Sequence, residues 1–225
     1  MSYLIQQVLN SEELLAIRDI LGSTDNWNDG TKTMISSSGK TKKNIELSSK
    51  CDEYLEASKI LYTAIDRCVD FADYTVPNQS GPILFSRTNL GGFYKPHFDS
   101  PDLGEYSSTL FLSDPDKYSG GELSIFIDGR SKKFKLNAGS MVTYPCGMSH
   151  MVCEVTKGTR AAAVFWTESK IKNSRRRQMY SDLGRAKRFL PPPPAPHDTV
   201  ECSQSDPTFI ISQVMNDIIR YGADL

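Results

Sequence analysis

The stretch Glu122-Leu123-Ser124-Ile125-Phe126-Ile127-Asp128-Gly129-Arg130-Ser131-Lys132-Lys133-Phe134-Lys135 carries two short β-like runs, 122–126 and 131–135, on either side of an Asp-Gly turn signal. The same punctuation extends in both directions. Upstream lie runs at 83–87, 94–98 and 107–112, and downstream at 140–144, 151–155 and 160–166. Their separators are Asn89 to Gly92, Asp114 to Gly121, Asn137 to Gly139, Pro145 to Gly147 and Lys157-Gly158, all turn chemistry. Eight short strands without a helical interval between them argue against a parallel α/β sheet and for an antiparallel sandwich or jelly roll. The expected class is mainly β with flanking helices (α+β).

The helices flank this block. Asn10 with Glu13 reads as a capping box ahead of Leu14, Ile17 and Leu21, and Gly22 ends the pattern. Residues 23–44 are polar and punctuated, as in a loop or irregular strands. A second helix is expected from Ser48 or Ser49 to about Phe71, with Tyr54, Ser58, Leu61, Ile65 and Cys68 on one stripe. A third, basic helix is expected from about Glu168 to Phe189. Pro191 to Pro194 with Pro196 then impose a polyproline linker to about Pro207, and His197 within it is polar filler. A last amphipathic helix carries Ile211, Val214, Met215 and Ile218 on one stripe. The reading therefore divides the chain into a helical support region, 1–80, a catalytic core with its basic helix, 81–189, and a linker with a C-terminal helix, 190–225.

At 225 residues one domain burying roughly 70 % of its unfolded surface is expected. Lys+Arg 26 against Asp+Glu 27 leaves a formal net charge of −1, so no global field recruits nucleic acid or an anionic membrane. Five cysteines, Cys51, Cys68, Cys146, Cys153 and Cys202, include no CxxC pair, and their odd number does not fit a disulfide framework. With neither a signal-peptide pattern nor a run of 18 apolar residues, the expectation is a soluble, cytoplasmic protein with reduced thiols.

Chemistry concentrates in Tyr94-Lys95-Pro96-His97-Phe98-Asp99, which holds one of three histidines. Side chains two apart on a strand share a face, so His97 and Asp99 can present a nitrogen and a carboxylate oxygen to one point. His150, after the strand ending at Tyr144 and a Pro-Cys-Gly turn, completes a two-histidine, one-carboxylate set, the donor set of non-haem Fe(II) oxygenases. A strand histidine in an isolated HxD is more often a hydrogen-bonded structural residue. Arg160 opens an otherwise apolar strand, Ala161 to Trp166, and must either reach solvent beside the Lys157-Gly158 turn or meet an anion, for which its fork suits a carboxylate. By parity Arg160, Ala162, Val164 and Trp166 share a face, with Trp166 as a cavity wall.

Taken together, Gly91 to Asp99, Thr109 to Pro115, Tyr118 to Leu123, and Ala138-Gly139 through Tyr144-Pro145 to His150, Val155, Gly158 and Arg160 resemble the prolyl 4-hydroxylase-like Fe(II)/2-oxoglutarate dioxygenases, and among them the PKHD-type hydroxylases. Weaker similarity at Lys43-Asn44 and Glu168-Ser169 extends it over most of residues 1 to about 183. The resemblance implies a double-stranded β-helix (jelly roll, cupin-like) with Fe(II) on His97, Asp99 and His150, a site that zinc or manganese would occupy in an inactive form. It implies 2-oxoglutarate anchored by Arg160, O2 as co-substrate and ascorbate as reductant. Thr88, Tyr94, Leu110 and Trp166 complete the expected co-substrate-binding set. Thr88 is a departure, because prolyl-hydroxylase relatives carry a tyrosine nine residues before the first ligand histidine.

The function this implies is hydroxylation of a prolyl residue in a peptide or protein. A free amino acid or siderophore-like small molecule is the alternative substrate, and a catalytically silent jelly-roll binding module is the reading from another class. Trp27 and the segment Ser36 to Lys43 are expected as substrate walls or lids, Trp27 equally as core. The basic run Lys170 to Arg188 lacks the aromatic interleaving that base stacking uses, so nucleic acid is not an expected partner. The terminal helix is expected to pack on the domain or to form a homodimer, and not to lie on a membrane.

Overall fold

The structure, a computed structural model, describes residues 3–33, 41–191 and 206–221. Two antiparallel sheets face each other and helices cover the outer face of the larger one. In chain order the strands are β1 (Leu4–Gln7), β2 (Trp27–Asp29), β3 (Lys42–Lys43), β4 (Ile45–Leu47), β5 (Pro77–Ser80), β6 (Leu84–Thr88), β7 (Phe93–His97) and β8 (Tyr106–Phe111). They continue as β9 (Ser119–Gly120), β10 (Leu123–Ile127), β11 (Arg130–Phe134), β12 (Ser140–Pro145), β13 (His150–Val152), β14 (Val155–Lys157) and β15 (Arg160–Ser169). The larger sheet runs β1-β12-β8-β15-β6-β4-β2, with β5 on the far end of β15. The smaller runs β11-β10-β13-β7-β3, and β9 pairs β14 separately. The result is the jelly roll expected from the spacing of short runs.

Alternation along the strands explains the two cores. Phe85, Leu110, Met141, Ala163 and Phe165 point from the larger sheet toward the helices and join Ile17, Leu21, Ala57, Leu61 and Ile65. Phe111, Val142 and Tyr144 point the other way and meet Leu123, Ile125, Ile127 and Phe134 of the smaller sheet. With both faces covered, every residue of β8 is buried.

Helix α1 (Ser11–Ser23) has the expected capping box: Asn10 Oδ1 accepts from the Glu13 N–H at 2.9 Å and the Glu13 carboxylate accepts from the Asn10 N–H at 2.9 Å. The long second helix is two, α2 (Asp52–Asp66) and α3 (Val69–Thr75). No proline or glycine marks the break. Arg67 sits there because its guanidinium reaches Glu13 and the Val8 carbonyl, and α3 turns to lay Phe71 against Phe165 and Tyr74 against Tyr106. The third helix also begins later than expected. β15 continues to Ser169, pairing Thr167 and Glu168 with Ser80 and Gln79 of the polar strand β5, and α4 spans Ser174–Lys187.

Much of the positive charge of α4 serves the fold. Arg177 donates to the Tyr106 hydroxyl and the carbonyls of Ile171 and Lys172, Arg185 pairs with Asp182, and Arg188 pairs with Asp70 and Asp73. Helix α5 (Pro207–Arg220) packs on α4 and leaves Phe209, Ile210 and Val214 exposed. Pro192 to Pro196, His197, Cys202 and residues 36–40 of the expected lid lie outside the described residues. The four described cysteines are unpaired, and among the described residues no helix is long and apolar enough to cross a membrane.

Candidate active site

Strands β7 and β13 are antiparallel neighbours in the smaller sheet, and their register sets His97 directly opposite His150. The ring centroids are 4.2 Å apart. Asp99 arrives differently from the strand-parity expectation: β7 ends at His97, and Asp99 returns to the same point from the following loop. One ligand atom from each of His97, Asp99 and His150 lies within 4.8 Å of the others, close enough to share an ion. The nearest His150 Nε2 to Asp99 Oδ2 distance is 3.6 Å, and Asp99 Oδ2 is buried without a hydrogen-bond partner among the described residues.

Both imidazoles are held from behind. His97 Nδ1 lies 2.8 Å from the Lys95 carbonyl and His150 Nδ1 lies 3.0 Å from the Met148 carbonyl. A carbonyl only accepts, so each Nδ1 carries the proton and each Nε2 offers a lone pair inward, as in histidines that ligate a metal while their other nitrogen donates to a carbonyl. Burial, then the neighbouring His150, pulls the His97 pKa down to about 4. Tyr94 stacks on the His97 ring at 3.6 Å between centroids and 18° between planes. The donor set, its tautomers and the unpartnered carboxylate oxygen together fit Fe(II).

The three residues open on a cavity of about 380 Å³ between the sheets. At its inner end Arg160 opens β15 opposite Thr88 of β6. Arg160 is 3 % exposed, and among the described residues its Nε has no partner and no carboxylate is within ion-pair distance. Burial pulls its pKa down, yet a guanidinium stays charged in protein interiors. The side chain rests over the Phe111 ring at 5.4 Å. Gly121 makes room for it, since a Cβ there would meet the Tyr118 ring at 3.1 Å and Arg160 Cδ at 3.2 Å. A buried cation without an anion is costly unless a ligand supplies one.

The co-substrate set of the sequence reading is partly gathered here. Thr88, Tyr94, Arg160 and Trp166 all line the cavity, Trp166 sharing the expected face with Val164. Leu110 does not. Pairing in β8 turns Thr109 toward the cavity and Leu110 into the helix-side core, so that assignment is corrected. Trp27 is also removed from the substrate wall: it packs on the helix-side core, donates from Nε1 to the Thr24 carbonyl at 3.0 Å and stacks under Arg87 at 4.0 Å.

Two groups of lining residues were not named individually as site residues from the sequence, although Lys42 falls within the 36–43 segment expected as a substrate wall. On the outer wall the Lys42 ammonium pairs with the Glu46 carboxylate at 2.5 Å, both buried, while Asn44 Nδ2 donates to Ser86 Oγ at 2.7 Å. Their short strands, β3 and β4, carry too few residues to show alternation. Tyr144 and Thr109 line the inner half. Tyr144 was visible only as a strand end, and its face became readable once β12 was registered against β8.

The family model of the 2OG-Fe(II) oxygenase superfamily matches residues 83–168. A PKHD-type hydroxylase of Gluconacetobacter diazotrophicus is 36 % identical over 191 residues, covering 80 % of this chain and 84 % of that one. One from Prochlorococcus marinus is 34 % identical over 201 residues, covering 84 % and 88 %. Among solved structures, the prolyl hydroxylase of Trichoplax adhaerens, in complex with a hypoxia inducible factor oxygen degradation domain peptide fragment, superposes with a TM-score of 0.60 at 14 % identity, covering 75 % and 84 %. That last likeness concerns the fold.

Proposed function

The chain belongs to the PKHD-type hydroxylases of the 2OG-Fe(II) oxygenase superfamily, and from that premise we propose that it hydroxylates an unactivated C–H bond of a prolyl residue in a peptide or protein. Fe(II), bound with 2-oxoglutarate and O2, supplies oxidative decarboxylation to succinate and CO2, one oxygen atom entering succinate and the other the C–H bond. In this reading His97, Asp99 and His150 would hold the metal through two imidazole nitrogens and one carboxylate oxygen. Arg160 receives the distal carboxylate of 2-oxoglutarate as a bidentate partner. Ascorbate keeps the iron reduced between turnovers.

One observation carries this reading: the buried Arg160 guanidinium, without a carboxylate among the described residues, lines the same cavity as the two histidines and Asp99. A silent jelly roll has no use for such a cation. Peptide access is supported by an apolar lip, where Phe98 is 66 % and Leu103 39 % exposed beside the cavity, with Leu84 and Trp166 lining it further. A proline ring packs on such a surface and asks for no backbone donor. A free amino acid is the second reading, favoured by the buried Lys42–Glu46 pair in the outer wall, whose opposite charges match a zwitterion.

The test combines purified protein with Fe(II), O2, ascorbate and 2-oxoglutarate, and follows succinate together with the gain of one oxygen atom in proline-bearing peptides and in free amino acids. Oxidised peptide is expected. Oxidised free amino acid with inert peptides, even long and proline-rich ones, replaces the first reading by the second.

A further inference from the structure

Three hydroxyl groups line the floor of the cavity that holds the metal triad and Arg160. Thr88 comes from β6, Thr109 from β8 and Tyr144 from β12, all buried and all lining the cavity. Tyr144 is 1 % exposed, and its phenol lies beside the side chains of Ser107 and Thr109. Its ring meets that of His150 edge-on, 5.3 Å between centroids and 67° between planes. Its backbone stands opposite Ser107, which in turn stands opposite Trp166. Arg160 lies six residues from Trp166 along β15, roughly 20 Å at ~3.3 Å per residue. The Tyr144 phenol lies within electrostatic reach of Asp99 and also of the Arg160 side chain, which extends toward it from the start of β15.

A dicarboxylate that reaches from the metal to Arg160 has to cross this floor, and its two ends need different donors. We infer that the Tyr144 hydroxyl is a co-substrate-positioning group, donating its proton to the carboxylate of 2-oxoglutarate beside the metal. The inference rests on the co-substrate reading above. It also accounts for Thr88: a threonine hydroxyl on β6 is short, and the phenol of this pocket is contributed from the neighbourhood of His150 instead. The ring serves a second purpose at the same time, meeting the His150 ring edge-on and packing in the same core cluster as Val142 and Phe111.

The roles of ring and hydroxyl separate in Tyr144→Phe, which keeps the packing and deletes the donor. Affinity for 2-oxoglutarate is measured by calorimetry on the Mn(II)-loaded protein, and affinity for Mn(II) on the metal-free protein, with Arg160→Ala as the reference. A hydrogen bond to a charged acceptor corresponds to a change of about tenfold or more. The expected result is that Tyr144→Phe weakens 2-oxoglutarate about tenfold and leaves Mn(II) binding within twofold. If Arg160→Ala weakens 2-oxoglutarate while Tyr144→Phe does not, the inference is overturned and the co-substrate reading stands. If neither variant changes 2-oxoglutarate affinity, both fall. Equal losses of Mn(II) and 2-oxoglutarate affinity in Tyr144→Phe also overturn it, because they mark a residue that only supports His150. A crystal structure of the unaltered protein with Mn(II) and 2-oxoglutarate decides the matter without any variant. A phenol oxygen within about 3.2 Å of a carboxylate oxygen is the expected geometry, and one beyond hydrogen-bonding distance overturns the inference.

Discussion

His97 and His150 face each other across the β7–β13 ladder, each with its Nδ1 tied to the carbonyl two residues earlier in its own strand or turn, Lys95 for one and Met148 for the other. Two neighbouring strands thus fix both rings, both tautomers and the direction of both Nε2 lone pairs. Asp99 comes instead from the segment that follows β7.

That difference yields the first prediction. His97→Ala and His150→Ala each remove a preset ligand, and metal affinity falls by more than the 10- to 100-fold that losing an outer-shell partner typically costs. Asp99→Glu, outside the β7–β13 ladder, keeps the charge and measurable binding, while Asp99→Asn loses charge and weakens it. Competition against a chelating dye gives the constants, and undiminished affinity in His150→Ala would remove that residue from the site.

Arg160→Ala is expected to weaken 2-oxoglutarate by about 10- to 150-fold, the range of roughly 1.5–3 kcal/mol for charge-assisted hydrogen bonds. Arg160→Lys restores part of it, since an ammonium keeps the charge and loses the fork. Calorimetry on the Mn(II) form measures both, and the metal's own affinity should remain close to that of the parent.

Phe85→Ala tests the separation of the two faces of β6. Phe85 is fully buried toward the helices, edge-on to Tyr54 at 6.0 Å, whereas its neighbours Leu84 and Ser86 line the cavity. The expected loss is about 3–5 kcal/mol in urea unfolding, with metal and 2-oxoglutarate affinities unchanged under conditions where the variant stays folded.

Glu13 supplies a pH dependence. Its carboxylate caps α1 and pairs with Arg67, and the hydrogen bond from Arg67 holds its pKa below the usual value of 4.5. Because the folded pKa is the lower one, this contribution is complete above about pH 4.5 and is lost as pH falls through the folded value. Glu13→Gln should flatten that acid limb of the stability curve. A parent and variant whose thermal midpoints fall in parallel below pH 4.5 would show that Glu13 carries none of it.

The strands of the jelly roll were legible because their alternation is long enough to count and glycine or Asn/Asp turns separate them. β1, β3 and β4 were not, being two to four residues long, and neither was β5, Pro77-Asn78-Gln79-Ser80, which looks like a loop until β15 pairs with it. The break between α2 and α3 depends on contacts made by Arg67 with residues more than fifty positions away, so no local signal marks it. At the site the chemistry was legible in residue types: two histidines, an aspartate and one arginine in an apolar strand. Which hydroxyls join them depends on register. Leu110 and Thr109 differ by one position and face opposite cores, and Tyr144 belongs to the cavity only because of its pairing with Ser107.

The buried Lys42–Glu46 pair poses the last test, whether it is retained for stability or for the substrate wall. Both side chains are under 10 % exposed, and the ammonium also lies 5.0 Å above the Tyr94 ring that stacks on His97. Removing one partner of a buried pair strands the other charge, so Lys42→Met should cost about 3–5 kcal/mol, whereas replacing both by apolar residues is often neutral or stabilising. The double variant Lys42→Met/Glu46→Leu is therefore expected to regain most of the stability lost in the single one. Its coupling energy, read from urea midpoints of the parent, the two single variants and the double, isolates the pair from its separate surroundings. If the pair serves the substrate wall, the stable double variant still binds Mn(II) and 2-oxoglutarate like the parent, because those ligands are held by His97, Asp99, His150 and Arg160, yet its kcat/KM for the oxidised substrate falls by tenfold or more. A double variant that is as unstable as the single one, with unchanged kcat/KM, would make Lys42 and Glu46 structural residues and withdraw them from substrate recognition.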